Sequence, residues 1–447
     1  MDHLRKIAGA CFSAALLTAC GGAGNGIVPT TKTPNASLRT VTNESVLYSF
    51  KGYTRHDGQG PYAGLISLNG LLYGTTSEGG SGKACRQDQA GCGTIFQIDL
   101  SGAERVLHSF KGTPDGQYPV ASMLAVNGVL YSTTVGGGKN GLGSVFAINP
   151  PTGAETVIYS FKGTDAGDGA LPRANLIYLN GVLYGTTNEG GNAACVDHGR
   201  NNHGCGTIFK VTMSGKEQVL HAFSGGGDDQ NRDGGFPSAG LLAVNGALYG
   251  TTSGGGNYPN RSGGGWGTVF KLDSSGDGYR VLYRFKSGDD GAVPNASLIN
   301  VNGKLYGTTS GGGGSVCVAS GFGCGTVFEM NPSGKERILH RFIRGSDGAG
   351  PNGLIAVDNT VYGTTGAGGA SGCQGYGCGT VFGMSTAGQG YVILHTFKGS
   401  PDGAGPFGGL LEINGSFYGT TAYGGRQGEP PRCSYGCIGT VFKVTPP

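Results

Sequence analysis

Short apolar runs separated by Gly, Asn, Ser and Pro recur along this chain. In one stretch Leu65-Ile66-Ser67-Leu68 is followed by Asn69-Gly70, then by Leu71 to Thr76, a glycine-rich loop, Thr94-Ile95-Phe96-Gln97-Ile98, a Ser101-Gly102 turn and Glu104 to Phe110. The runs are short, rich in β-branched and aromatic residues and lack a 3.6-residue period, so they predict strands. Asn-Gly recurs at Asn69, Asn127, Asn180, Asn245, Asn302 and Asn414, with Asp358-Asn359 in the remaining copy. Asn-Gly suits a type I′ turn, where both central residues need positive φ, so the first two strands of each unit form a tight hairpin. The unit repeats with Tyr73, Tyr131, Tyr184, Tyr249, Tyr306, Tyr362 and Tyr418 as markers, at spacings from 53 (131 to 184) to 65 (184 to 249). Seven such units read as one array rather than separate domains. The expected fold is all-β: a seven-bladed β-propeller of four-stranded antiparallel blades. The last unit lacks a fourth strand, whereas 44–50 (Glu44 to Phe50) matches a fourth strand with no unit of its own. Pairing of 44–50 with 439–445 would close the ring and hide its open edges.

Composition adds limits. The chain has 447 residues and 93 glycines, without the Gly-X-Y period of collagen. Net charge is +3, with no basic run beyond Arg5-Lys6, so nucleic acid is not an expected partner. Arg5-Lys6, the apolar Ile7 to Leu17 and the ending Leu17-Thr18-Ala19-Cys20 resemble a bacterial lipoprotein signal with Cys20 as the lipidated residue; an ordinary signal peptide or a chance cysteine are the alternatives. The expected organisation is a signal peptide over 1–20, a flexible tether over 21–43 and the propeller over 44–447. Extended, the tether would reach roughly 70 Å at about 3.3 Å per residue. The expected location is the bacterial cell envelope, held to the membrane through lipid, with Gly21 after the cysteine favouring the outer membrane. A monomer is expected.

The recurring Leu-Tyr-Gly-Thr-Thr, glycine-rich loop and Gly-Thr-Val-Phe also resemble the Gloeobacter/Verrucomicrobia (GloVer) tandem-repeat family of extracytoplasmic bacterial proteins, over residues 44–447. The resemblance implies location and repeat type, and no catalytic residues.

Cysteines fall in five pairs, each within one glycine-rich loop: Cys85/Cys92, Cys195/Cys205, Cys317/Cys324, Cys373/Cys378 and Cys433/Cys437. Two units lack both members, which is what intraloop disulfides in an oxidising compartment would produce. The rival is a metal: Cys195, His198, His203 and Cys205 form a zinc-like mixture, but the other loops carry no His. His108, His221, His340 and His395 share a repeat position with Tyr48, Tyr159 and Tyr283, which argues for half-buried packing rather than a catalytic base. Fourteen of the 19 phenylalanines are repeat positions and are expected between blades. An Asp-Gly recurs before each first strand, at Asp57, Asp115, Asp168, Asp233, Asp290, Asp347 and Asp402. Two readings stay open for it: a turn whose carboxylate accepts backbone N–H bonds, or a ring of carboxylates near one channel mouth that could hold Ca²⁺ or meet a cationic ligand. No other cofactor is expected. The Thr-Thr pairs are expected on inner strands, bonding between blades.

Alternate connections of an up-and-down blade share a face. The tight turns therefore lie on one side, and the Asp-Gly segments and cysteine loops on the other. Trp266, His198 and His203, the insertion from Gly225 to Arg232 and the segment from Arg426 to Arg432 all fall on the loop side. Binding residues concentrate on such loops. The expectation is a binding or scaffolding module for a glycan or a protein on that face. A propeller lyase or hydrolase of extracellular polysaccharide, or a purely structural envelope protein, are the alternatives. No catalytic set stands outside the repeat, so an enzyme is the less expected reading.

Overall fold

A computed structural model of the chain describes residues 43–82, 85, 91–193, 195, 203–225, 233–256, 265–314, 323–369, 372–425 and 438–446. In the first repeat Asn69 and Gly70 take φ of 53° and 78°, and join Ile66–Leu68 to Leu71–Thr76 in a two-residue hairpin. The third strand, Thr94–Ile98, pairs with the second, and the fourth, Glu104–Ser109, with the third. All pairings are antiparallel. The same order recurs in seven four-stranded sheets. First strands of neighbouring sheets approach one another, so they are innermost and the fourth strands form the rim.

The N-terminal strand closes the ring as expected. Asn43–Ser49 pairs antiparallel with Thr440–Thr445, from Asn43↔Thr445 to Ser49↔Thr440, and becomes the rim strand of the seventh blade. The result is a seven-bladed β-propeller.

Why Leu-Tyr-Gly-Thr-Thr recurs is visible in the second strand, which is buried on both faces. Leu72 packs with Phe50 and Phe96 towards one neighbouring blade, while Tyr73 packs with Phe110 and Phe146 towards the other. Gly74 lies opposite Phe96, and a Cβ there would strike that ring. The fourteen repeat phenylalanines are all buried. They meet across every blade interface, from Phe50–Phe96 at 5.0 Å to Phe397–Phe442 at 5.0 Å, mostly edge to face. Each buried ring is worth roughly 1.5–3 kcal/mol through removal from water.

Every rim strand carries a β-bulge, at Leu47 in the closing strand and Leu107 in the first blade. The turn glycine of the next blade is set against it. Gly102, with φ of 94°, faces the Leu47 carbonyl so closely that no Cβ would fit.

The threonine pairs divide their work. Thr75 donates to the Ala121 carbonyl of the next blade at 3.3 Å, and Thr420 to the Ala63 carbonyl at 2.8 Å across the closing seam. Thr76 stays within its blade, 2.7 Å from Thr94. The pairs thus sit on second strands, one step out from the innermost. Thr251 is the exception, its buried hydroxyl without a partner among the described residues. Small residues crowd the axis: Ser297 bonds both the Gly240 backbone N–H (2.9 Å) and Asn175 (3.3 Å), linking three blades.

Candidate functional site

The seven Asp-Gly aspartates all have the same job. Each carboxylate accepts the backbone N–H of the residue following the rim-strand phenylalanine: Lys51 to Asp57 at 2.7 Å, Lys111 to Asp115 at 2.9 Å, Lys162 to Asp168 at 2.8 Å, Ser224 to Asp233 at 3.1 Å, Lys286 to Asp290 at 2.9 Å, Ile343 to Asp347 at 2.8 Å and Lys398 to Asp402 at 2.9 Å. Each is therefore tied to a rim strand, so the seven are spread round the rim and not gathered at a channel mouth.

The same carboxylates explain why Tyr and His interchange on the rim strand. Tyr48, Tyr159 and Tyr283 donate their hydroxyls to Asp57, Asp168 and Asp290 at 2.8, 2.7 and 3.0 Å. His108, His221, His340 and His395 bring Nε2 to Asp115, Asp233, Asp347 and Asp402 at 3.3, 3.0, 3.0 and 3.3 Å. Both side chains place a ring donor at one point, so the position is more than packing. At Asp115, burial pushes the carboxyl up, but bonds from His108 and from the Gly116 and Lys111 N–H groups outweigh it and hold it below its ordinary range.

A further residue enters each interface from the next blade, and no sequence motif pointed to it. It lies at the start of the following rim strand: Glu104 beside Tyr48 and Asp57, Glu155 beside His108 and Asp115, Glu217 beside Tyr159 and Asp168, Glu336 beside Tyr283 and Asp290, and Glu44 beside His395 and Asp402. In all five an Oε1 atom is buried with no hydrogen-bond partner among the described residues. Burial, and then the neighbouring Asp charge, push Glu104, Glu155, Glu217 and Glu336 up to about 7 and raise Glu44 as well. At the other two interfaces a tyrosine takes the place of Glu. Tyr279 stacks on His221 with ring centroids 3.7 Å apart, and Tyr391 on His340 at 3.9 Å. The available signal was pairing between consecutive copies: each rim Tyr meets Glu, while rim His meets either Tyr or Glu.

Two interfaces combine His with Glu, and there three ligand-type atoms converge. Those of His108, Asp115 and Glu155, and those of Glu44, His395 and Asp402, lie within 4.8 Å of one another. Side chains at both sites are half-buried.

On the same, loop-bearing side, where Gly58 and Gln59 pair with Gly79 and Glu78, disulfides join Cys85 to Cys92, Cys195 to Cys205 and Cys373 to Cys378, and Cys324 is also disulfide-bonded. Both thiols of the Cys195/Cys205 loop are thus removed as metal ligands. Its His203 is exposed. The residue just before each recurring Pro donates a backbone bond to the preceding loop: Tyr118 to the Cys92 carbonyl at 2.9 Å, Phe236 to Cys205 at 2.7 Å, Gly405 to Cys378 at 2.9 Å. In the disulfide-free loops Leu142 and Trp266 accept the same bond, from Leu171 at 2.9 Å and Val293 at 2.8 Å. Trp266 therefore stands where Cys stands elsewhere, packed against the cluster holding Phe285 and Phe328. Cys20, His198, Cys317, Cys433 and Cys437, and the insertion between Gly225 and Asp233, lie outside the described residues.

One part of this face breaks the repetition. Beside the closing seam Tyr62 stacks on Phe407 at 5.7 Å, Tyr423 stands edge-on to both, and the Tyr62 and Tyr423 hydroxyls are 3.0 Å apart. The residues after the recurring Pro are Tyr62, Val120, Arg173, Ser238, Asn295, Asn352 and Phe407, so only two adjacent blades place an aromatic there. Phe407 and Tyr423 line an apolar cleft with Ala367, Tyr376, Ala404 and the Cys373–Cys378 bridge. Arg344 lies over the Tyr376 ring at 5.2 Å.

The sequence model of the Gloeobacter/Verrucomicrobia repeat matches residues 21–260, 195–372 and 314–447. No curated protein matches the chain. Among solved structures, an oligogalacturonate lyase in complex with manganese is similar over 94% of this chain and 97% of its own, at 10% identity and a TM-score of 0.48. An oligogalacturonate lyase from Vibrio parahaemolyticus is similar over 91% of this chain and 94% of its own, at 11% identity and a TM-score of 0.48. A nidogen/laminin complex is similar over 69% of this chain and 91% of its own, at 15% identity and a TM-score of 0.40. At such identities and scores these likenesses carry nothing about activity. The scaffold hosts enzymes and binding proteins alike.

Proposed function

The chain belongs to the Gloeobacter/Verrucomicrobia repeat family, and from that membership and the loop-face geometry we propose that it is an exported, lipid-anchored binding module that takes a glycan on its long-loop face. The observation that carries this reading is the aromatic group of Tyr62, Phe407 and Tyr423 beside an apolar cleft. Its half-exposed rings are absent from the matching positions of the other blades, so the repeat does not require them for folding. Rings with one open face and nearby hydroxyls suit the apolar face and polar edge of a sugar. The repeated aspartates, by contrast, recur in every blade and each ties down a rim strand. The anchor at Cys20 and the cell-envelope location are part of this proposal and rest on residues 1–20.

The test is a glycan array followed by affinity electrophoresis in the polysaccharides that score. Phe407→Ala and Tyr423→Ala should each weaken retardation at least tenfold while the variants stay folded. Unchanged binding in both variants, or steady turnover of the polymer, overturns the reading. Metabolic labelling with a fatty-acid probe, lost on Cys20→Ala, tests the anchor; labelling that persists in that variant defeats it.

A further inference from the structure

The seven blade interfaces fall into three kinds. Where the rim residue is Tyr, its hydroxyl sits between Asp and Glu; Tyr159 reaches Asp168 at 2.7 Å and Glu217 at 3.4 Å, so one donor serves both acids. Where the entering residue is Tyr279 or Tyr391, the imidazole is covered by a stacked ring in place of a second carboxylate among the described residues. The interfaces of His108 and His395 fit neither pattern. They hold two carboxylates and an imidazole, with no hydroxyl between them, and the Glu155 and Glu44 Oε1 atoms are buried and unpartnered among the described residues.

Distances separate the same two interfaces. His Nε2 lies 3.0 Å from Asp at His221 and His340, a good hydrogen bond, but 3.3 Å at His108 and His395. Ligands about 2.0–2.1 Å from a tetrahedral zinc stand about 3.3–3.4 Å apart, so the longer separation matches the edge of a zinc site. The Asp is already oriented: in one site Asp115 accepts from Lys111 and Gly116 N–H at 2.9 and 2.7 Å, the kind of outer support that holds metal ligands.

We propose that these two interfaces are divalent-cation sites of the zinc class, one formed by His108, Asp115 and Glu155 and the other by Glu44, His395 and Asp402. Each site takes ligands from two blades. In the second, Glu44 lies on the N-terminal strand that closes the ring, so an ion there pins that strand to the sixth blade. One imidazole and two carboxylates leave a fourth tetrahedral position for water.

The repeat supplies its own control, because Tyr stands at the histidine position beside Glu in three blades. Full-chain protein is stripped with EDTA, dialysed against zinc chloride, desalted and measured for zinc by mass spectrometry. Wild type should carry two more zinc ions per chain than the His108→Tyr/His395→Tyr double variant, and zinc should raise only the wild type's thermal midpoint. Glu155→Gln/Glu44→Gln should show the same loss. Equal zinc content in wild type and the Tyr variant overturns the proposal and leaves a shared proton between the acids. Zinc retained in full by the Gln variant overturns it as well, since the carboxylates would then not be ligands.

Discussion

Two blade interfaces built on the same His–Asp pair show how little of the environment that pair settles. Between the first and second blades, His108 faces Asp115 and a buried Glu155. Between the third and fourth, His221 faces Asp233 and is covered by Tyr279 at 3.7 Å. The phenylalanine core beneath is common: Phe110–Phe146 at 5.3 Å in one, Phe223–Phe270 at 5.5 Å in the other. What changes is a single residue at the start of the next rim strand. With Tyr the interface is an aromatic stack that is stable by itself. With Glu it is an acid site that needs a proton or a cation to be satisfied.

The largest expected effect tests what the interfaces share. Removing residues 43–49 leaves the seventh blade with an unpaired edge and takes Glu44 and Phe50's support with it. Cooperative thermal unfolding should be lost or shifted far down, and an unchanged midpoint would mean that the closing strand is dispensable. Next, Phe110→Ala and Phe223→Ala should each cost about 3–5 kcal/mol in denaturant unfolding, and by similar amounts, because the cores match. A large difference would show that the covering residue governs the core. Smaller again, Tyr279→Ala should cost about 3 kcal/mol, since it removes a half-buried ring packed on the core and its 2.5 Å bond to the Asp233 carbonyl. Glu155→Gln, measured without metal, should instead be neutral or stabilising, because it relieves a buried acid beside Asp115.

The smallest expected effect is on pH. Glu104, Glu217 and Glu336 are pushed up to about 7 by burial and then by Asp57, Asp168 and Asp290. A raised acid binds its proton more tightly in the folded chain than in the unfolded one. Its contribution is therefore fully present below the ordinary Glu range and is lost as pH rises through about 7. The midpoint of metal-free protein should fall between about pH 5 and pH 8, and the triple variant Glu104→Gln/Glu217→Gln/Glu336→Gln should flatten that slope.

Much of this molecule could be read from residue order. Asn69-Gly70 requires left-handed φ at both positions and so announces a hairpin at any temperature or context. Glu44 to Phe50 repeats Glu104 to Phe110, which made the closing strand legible. The loop cysteines pair over short separations, 7 residues for Cys85–Cys92, and so report their bridge locally. Trp266 was harder: its rarity marked it as a binding residue, while the structure shows it filling the place of Cys. The aspartates were legible as turn formers, but not the Tyr or His that each one meets.

Sequence alone determined the blade: strand lengths, turn types, the order of pairing, and the small residue opposite each Phe. These depend on contacts close along the chain, where backbone conformation and period-two alternation are decisive. Tertiary structure alone decided what each blade presents to the next. Gly102 must be small because the bulged Leu47 of another blade occupies its space, and Glu155 is pushed up from its ordinary range because the interface buries it and brings Asp115 against it from the blade before. Residues some fifty positions apart become neighbours only when the ring closes, and at that distance a buried charge answers to whatever the fold brings against it.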